Sequence, residues 1–211
     1  MKEKFSASKL LAIILCLQLA AVAITVIDGL FYNDVWLGWI QRGITVAVIV
    51  CLFSLSREIR LYRWTAVLKA VALGFMLISI LLSNNFAIYA FYEYLGITNE
   101  DLIVIGSVLY WMRMAATLPA IVLEHLSHGR IAPAVRKGWI GLMIANLVWI
   151  VAGNAINQYA GAQFEAQRMS AETLLAIGEG FQVINLIIRL FYIWFLYRTF
   201  QIVKSKEMEN A

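Results

Sequence analysis

This chain is predicted to fold as an all-α bundle of six transmembrane helices with both ends in the cytoplasm, on three observations. It is 62% hydrophobic and only 14% charged over 211 residues, where soluble domains average about 45–50% and 25%. Six apolar stretches follow one another, each close to the ~20 residues that cross a bilayer core. Basic residues then concentrate in alternate loops.

The first stretch, 10–27, is interrupted only by Gln18 and Thr25. Lys2, Lys4 and Lys9 ahead of it, with Ala21-Val22-Ala23 inside it, imitate a secretory signal. The apolar run continues through residues 24–27 instead of turning polar, so this helix is expected to be retained. The second and third spans cover about 36–55 and 64–83, the fourth about 102–123, and the fifth 139–159. Between the third and fourth lies an aromatic, acidic connection with Phe86, Tyr89, Phe91, Tyr92 and Tyr94. The sixth span, 173–196, has Ser170 placed to cap its N-terminus and Glu172 in its first turn. Residues 1–203 read as one domain, and 204–211 as a short, frayed cytoplasmic tail.

Charge fixes the orientation. One side holds Lys2, Lys4, Lys9, Arg57, Arg60, Arg63, Lys69, Arg130, Arg136, Lys137, Arg198, Lys204 and Lys206, thirteen of the seventeen Lys and Arg. The opposite side has Arg168 among Asp28, Asp34, Glu93, Glu100, Asp101, Glu165 and Glu172. Both ends are therefore expected inside, with a bacterial cytoplasmic membrane as the simplest location. Loop charge accounts for the net +4, so no nucleic acid is implied and membrane lipids are the expected surroundings.

The remaining cations, Arg42, Arg113 and Arg189, lie inside alternate spans. A guanidinium stays ionised at any accessible pH and costs ~2.5–3.5 kcal/mol at a helix centre on insertion scales. Pairing the spans into three hairpins puts one arginine on each second member. Identity between the hairpins is poor, so a threefold repeat and coincidence both stay open.

At 100° per residue, polar positions gather into stripes. The sixth span aligns Glu179, Gln182, Asn185, Arg189 and Tyr192, and the fourth aligns Ser107, Tyr110, Arg113 and Thr117. The first aligns Gln18, Thr25, Asp28 and Tyr32; the second Gln41, Arg42 and Thr45; the fifth Asn146, Trp149, Gly153 and Asn157. Most of these belong to the outer half. The pattern describes an outward polar vestibule floored by guanidinium groups, suited to a carboxylate, phosphate or lipid headgroup. Arg113 is its expected anchor, with Arg42 and Arg189 flanking, Glu179 and Asp28 as counter-charges, and Tyr110, Gln182 and Asn157 as neutral partners. Structural pairing of each arginine is the competing expectation.

Enzymatic signatures are missing. Cys16 and Cys51 sit in separate spans without CxxC spacing and read as buried, inert thiols. Glu124-His125-Leu126-Ser127-His128 lacks the HExxH spacing of zinc proteases and reads as a solvated helix end. Neither GxSxG nor a glycine-rich phosphate loop occurs. Gly178-Glu179-Gly180 marks a place where the sixth helix is expected to soften. No catalytic residue, metal or cofactor is therefore assigned. Two functional classes lead: binding or transport of an anionic solute or lipid headgroup, and a non-catalytic subunit (scaffold, immunity or regulatory), with an intramembrane enzyme using Glu179 and Tyr110 as an acid–base pair a remote third. The second implies a membrane protein partner or a homo-oligomer.

Overall fold

The computed structural model describes residues 6–31, 35–83, 94 and 96–210. These residues are helical apart from short turns, and among them six helices are long and apolar enough to cross a membrane, which makes the chain a multi-pass membrane protein. In order they are α1 (Ala7–Phe31), α2 (Val35–Leu55), α3 (Leu61–Ser83), α4 (Asn99–Ile131), α5 (Arg136–Glu165) and α6 (Ala171–Glu209). A 3₁₀ turn, Pro133–Val135, joins α4 to α5. The Tyr32 position and most of the aromatic connection before α4 lie outside the described residues; Tyr94 within it is exposed.

Local chemistry explains the helix ends. Thr98 and Asp101 form a reciprocal capping box at the start of α4, with Thr98 N–H donating to Asp101 Oδ2 (2.9 Å) and Asp101 N–H to Thr98 Oγ1 (3.2 Å). Ser170 caps α6 as its position predicts, its hydroxyl accepting from Thr173 N–H at 3.2 Å. Between α5 and α6, Gln167 adopts φ 56° while Arg168 N–H bonds back to Gln163 O at 2.9 Å, a Schellman-type stop. Pro119 does not end α4; membrane helices accommodate the lost backbone bond.

The chain divides into two compact units. Unit 1 comprises residues 1–44 and 125–211, in which α6 packs along both α1 and α5. Its core holds Leu10, Leu11 and Ile14 of α1, Trp139 and Leu142 of α5, and Leu196, Thr199 and Val203 of α6. Unit 2, residues 45–124, buries Val48, Leu52 and Leu55 of α2, Tyr62, Thr65 and Ala66 of α3, and Ala116 and Ala120 of α4.

Three features depart from expectation. Helix α6 continues to Glu209 where a frayed tail was expected. Its last turns have something to hold them: Val203 is buried, and the Glu207 carboxylate accepts from Ser8 N–H (3.1 Å) and Ser8 Oγ. The first turn of α1 and the last of α6 therefore meet. Second, α6 runs unbroken through Gly178-Glu179-Gly180, because a helix in an apolar environment keeps its backbone bonds internal. Third, Cys16 is exposed on α1, while Cys51 is buried as expected.

Close approach of α5 and α6 is set by small residues. A Cβ at Gly138 would stand 2.1 Å from Phe195 Cε1, and one at Gly153 would stand 3.1 Å from Phe181 Cε1. Gly138→Ala should therefore lower stability by about 1–3 kcal/mol through overpacking. Thermal unfolding in detergent would read this, and Phe195→Leu added to Gly138→Ala should recover part of the loss. No change in the single variant would mean that the helices are free to separate here.

Candidate functional site

The polar groups of unit 1 form a graded series along one face of α6. Glu179, Gln182, Asn185 and Arg189 are exposed, Tyr192 is half-buried, and Leu196, Thr199 and Val203 are buried. Successive members lie three or four residues apart, so they share a face. That face is open at one end and shut at the other.

The closed end is an aromatic box. Trp139, fully buried, donates its indole N–H to Thr199 Oγ1 at 2.9 Å. His128, also fully buried, stacks on Trp139 with ring centroids 4.6 Å apart and planes at 27°. Its Nε2 lies 3.3 Å from Tyr192 Oη. His125 stands edge-on to Trp139 (5.4 Å) and to Tyr192 (5.9 Å), and Phe195 closes against Trp139 at 5.6 Å. The sequence reading of Glu124 to His128 as a solvated helix end is thus corrected: Glu124, His125, Ser127 and His128 are all buried. The helix continues past them to Ile131, and bulky aromatic residues of α5 and α6 cover the imidazoles.

Of the charged residues on the open stretch of this face, Glu179 and Arg189, Arg189 is the nearer to the closed end. Its Nη1 donates to Thr25 Oγ1 at 2.8 Å, and Gln41 Nε2 donates to the same oxygen at 3.0 Å. The Thr25 hydroxyl in turn donates to Ala21 O at 2.9 Å. One hydroxyl thus joins α1, α2 and α6 in the middle of apolar sequence. Nearby on α5 and α6, Trp149 Nε1 donates to Asn185 Oδ1 (2.9 Å), and the Trp149 ring rests on Phe181.

The other expected site residues distribute as follows. Arg42 folds back along α2 over Gly38, its guanidinium 4.7 Å from the Trp39 ring centroid. Glu179, Gln182 and Asn157 are exposed. Asp28 belongs to the last turns of α1, and its side chain lies outside the described residues. In unit 2, Arg113 lies 5.4 Å above the Tyr110 ring, a cation–π contact between neighbouring turns. Among the described residues, none of the three intramembrane arginines is ion-paired with a carboxylate.

Unit 2 does contain a charge pair of its own. Lys69 Nζ sits 2.8 Å and 2.9 Å from the two carboxylate oxygens of Glu124. Only 4% of the Glu124 side chain is exposed and 22% of Lys69. Thr65, one helical turn before Lys69, is fully buried and returns its hydroxyl to Leu61 O at 3.1 Å. Reading Lys69 as loop charge missed this pair. The signal was present: a lysine between Leu68 and Ala70 in an apolar run requires a partner.

Chemically, the arrangement presents guanidinium and amide donors. Among the described residues no cluster of His, Cys, Asp or Glu has the geometry to hold a metal. Comparison with protein families, with curated proteins and with solved structures finds no match. The site itself must therefore carry the functional argument.

Breaking the buried pair on one side strands a charge. Lys69→Met should destabilise by about 3–5 kcal/mol, whereas Lys69→Met with Glu124→Leu should return close to wild type. A double-mutant cycle on thermal or denaturant unfolding measures the difference, and additive losses would show that the two charges do not act as a pair.

Proposed function

We propose that this protein binds an anionic group, a carboxylate or a phosphate, within the membrane, with Arg189 of unit 1 as its anchor. The observation that supports this most directly is the graded α6 face: open from Glu179 to Arg189, closed below by Tyr192, His128 and Trp139. A guanidinium held there by one hydroxyl keeps most of its five donors available for a ligand. Gln41 on α2 and Asn185, one turn before Arg189 on α6, supply neutral polar groups. Thr25 positions the guanidinium, a role the sequence pattern did not assign. In this reading Arg113, beside Tyr110, is a second cationic position that belongs to unit 2 by itself. The distribution of loop charge supports an outward-facing open end of the α6 face, with both chain ends in the cytoplasm.

A second reading draws on the outer half of α6, where no residue from Ala171 to Arg189 is buried. A membrane protein partner lying along this stretch would cover it, giving a non-catalytic subunit in place of a solute binder.

Native mass spectrometry of the purified protein, with Arg189→Gln and Arg113→Leu alongside, separates these readings. The anion reading expects a bound acidic species whose retention falls tenfold or more in Arg189→Gln, from the loss of at least one charge-assisted hydrogen bond. Retention unchanged in both variants would overturn it. A stoichiometric polypeptide in place of a small acid would favour the partner reading. Orientation is checked separately: reporters fused at each end should both be protected from outside labelling in intact cells, and labelling of either end would reverse the assignment.

A further inference from the structure

Unit 2 presents a second cationic feature that the anion site does not use, at the short link between α2 and α3. Residues 56–60 turn the chain through hydrogen bonds from Glu58 N–H to Leu55 O (3.0 Å) and from Arg57 N–H to Ser54 O (3.4 Å). Tyr62 N–H to Ile59 O (3.0 Å) and Arg63 N–H to Arg60 O (3.1 Å) complete the entry into α3. Leu55 on one side of the link and Tyr62 on the other are fully buried. The turn is therefore anchored at both ends, and its cations point away from the core: Arg57, Arg60 and Arg63 are all exposed. Trp64 follows them, 56% exposed.

We infer that this link is a docking site for the phosphate of an anionic phospholipid headgroup. Its position follows from the helices on either side, both long and apolar enough to span a membrane, so the link lies at the membrane surface. Its charge suits an anion: three arginines against Glu58 leave two positive charges. Among the described residues no carboxylate is ion-paired with any of the three. A guanidinium gives a phosphate two parallel N–H donors. An exposed tryptophan beside them is the side chain that settles at the headgroup level. Charge and an interfacial ring together select a lipid, because a free phosphate would have no use for the indole. Basic clusters at the ends of spans attract anionic lipid near the surface.

The experiment uses purified full-length protein in mixed detergent micelles holding equal amounts of phosphatidylglycerol and phosphatidylcholine. Native mass spectrometry counts the lipids retained. Wild type should retain phosphatidylglycerol at least tenfold over phosphatidylcholine at low ionic strength. The triple variant Arg57→Gln, Arg60→Gln, Arg63→Gln should bring that ratio close to one. The triple lysine variant, which keeps the charge and the loop-charge orientation signal, should keep most of it. If the glutamine variant does not fold, raising salt on wild type decides, since exposed charges are screened over about 10 Å at 0.1 M and 3 Å at 1 M. A ratio that falls with salt supports the inference. Equal retention of both lipids by wild type, or a preference that survives the glutamine triple or high salt, overturns it. Displacement of phosphatidylglycerol by millimolar inorganic phosphate would also overturn it, by assigning the site to the free ion. Because these residues are remote in sequence from Arg189, loss of the anion reading leaves this result unaffected.

Discussion

An indole N–H that no water can reach must donate to something, and in this protein the Trp139 bond to Thr199 meets that requirement between α5 and α6. The bond fixes the ring, and the ring in turn provides the surface on which His128 stacks and against which His125, Tyr192 and Phe195 pack. Gly138 matters for the same reason, since only a residue without Cβ lets α5 come close enough to Phe195. In hydrocarbon there is little hydrophobic force between helices, so association depends on close packing and on satisfied polar groups. The buried end of unit 1 uses both, and it gives the α6 face its closed floor.

Charge within the spans is handled in two ways. Lys69 and Glu124 neutralise one another at close range, which leaves nothing for a ligand. The arginines rest instead on a hydroxyl (Arg189 on Thr25) or on an aromatic face (Arg42 on Trp39, Arg113 on Tyr110). Such contacts orient a guanidinium without cancelling its charge. Aromatic support also leaves the fork of donors at the edge of the guanidinium plane uncommitted. The contrast between a neutralised lysine and supported arginines is the physical basis for looking at the arginines for binding.

The architecture was readable because each span is a long apolar run, and composition alone separates such a run from a loop. The Ser170 cap was readable because it depends on four consecutive residues. Stripes were partly readable: the α5 face with Trp149 and Gly153 does meet α6, and Thr25, Gln41 and Arg189 do come together. The aromatic box was not. Its members Trp139, Tyr192 and Thr199 are spread over two helices, and nothing local says that they surround His125 and His128. An adjacent run of basic residues, Arg130 to Lys137, suggested solvent at a place where the helix is still packed. Lys69 was misplaced because it was grouped with the loop arginines before it, although Leu68 and Ala70 on either side mark an apolar run.

The contact between Ser8 and Glu207 spans 199 positions of sequence, and synthesis runs in one direction. Helix α1 is made before α6, so its opening turn at first lacks the carboxylate that later accepts from it. That acceptor arrives only with the last turn of α6. Helices α1 and α6 can therefore be joined at this point only after α6 has been made. Until then the Ser8 donors must bond elsewhere, so a chain shortened before Glu207 is altered in α1 as well as in α6.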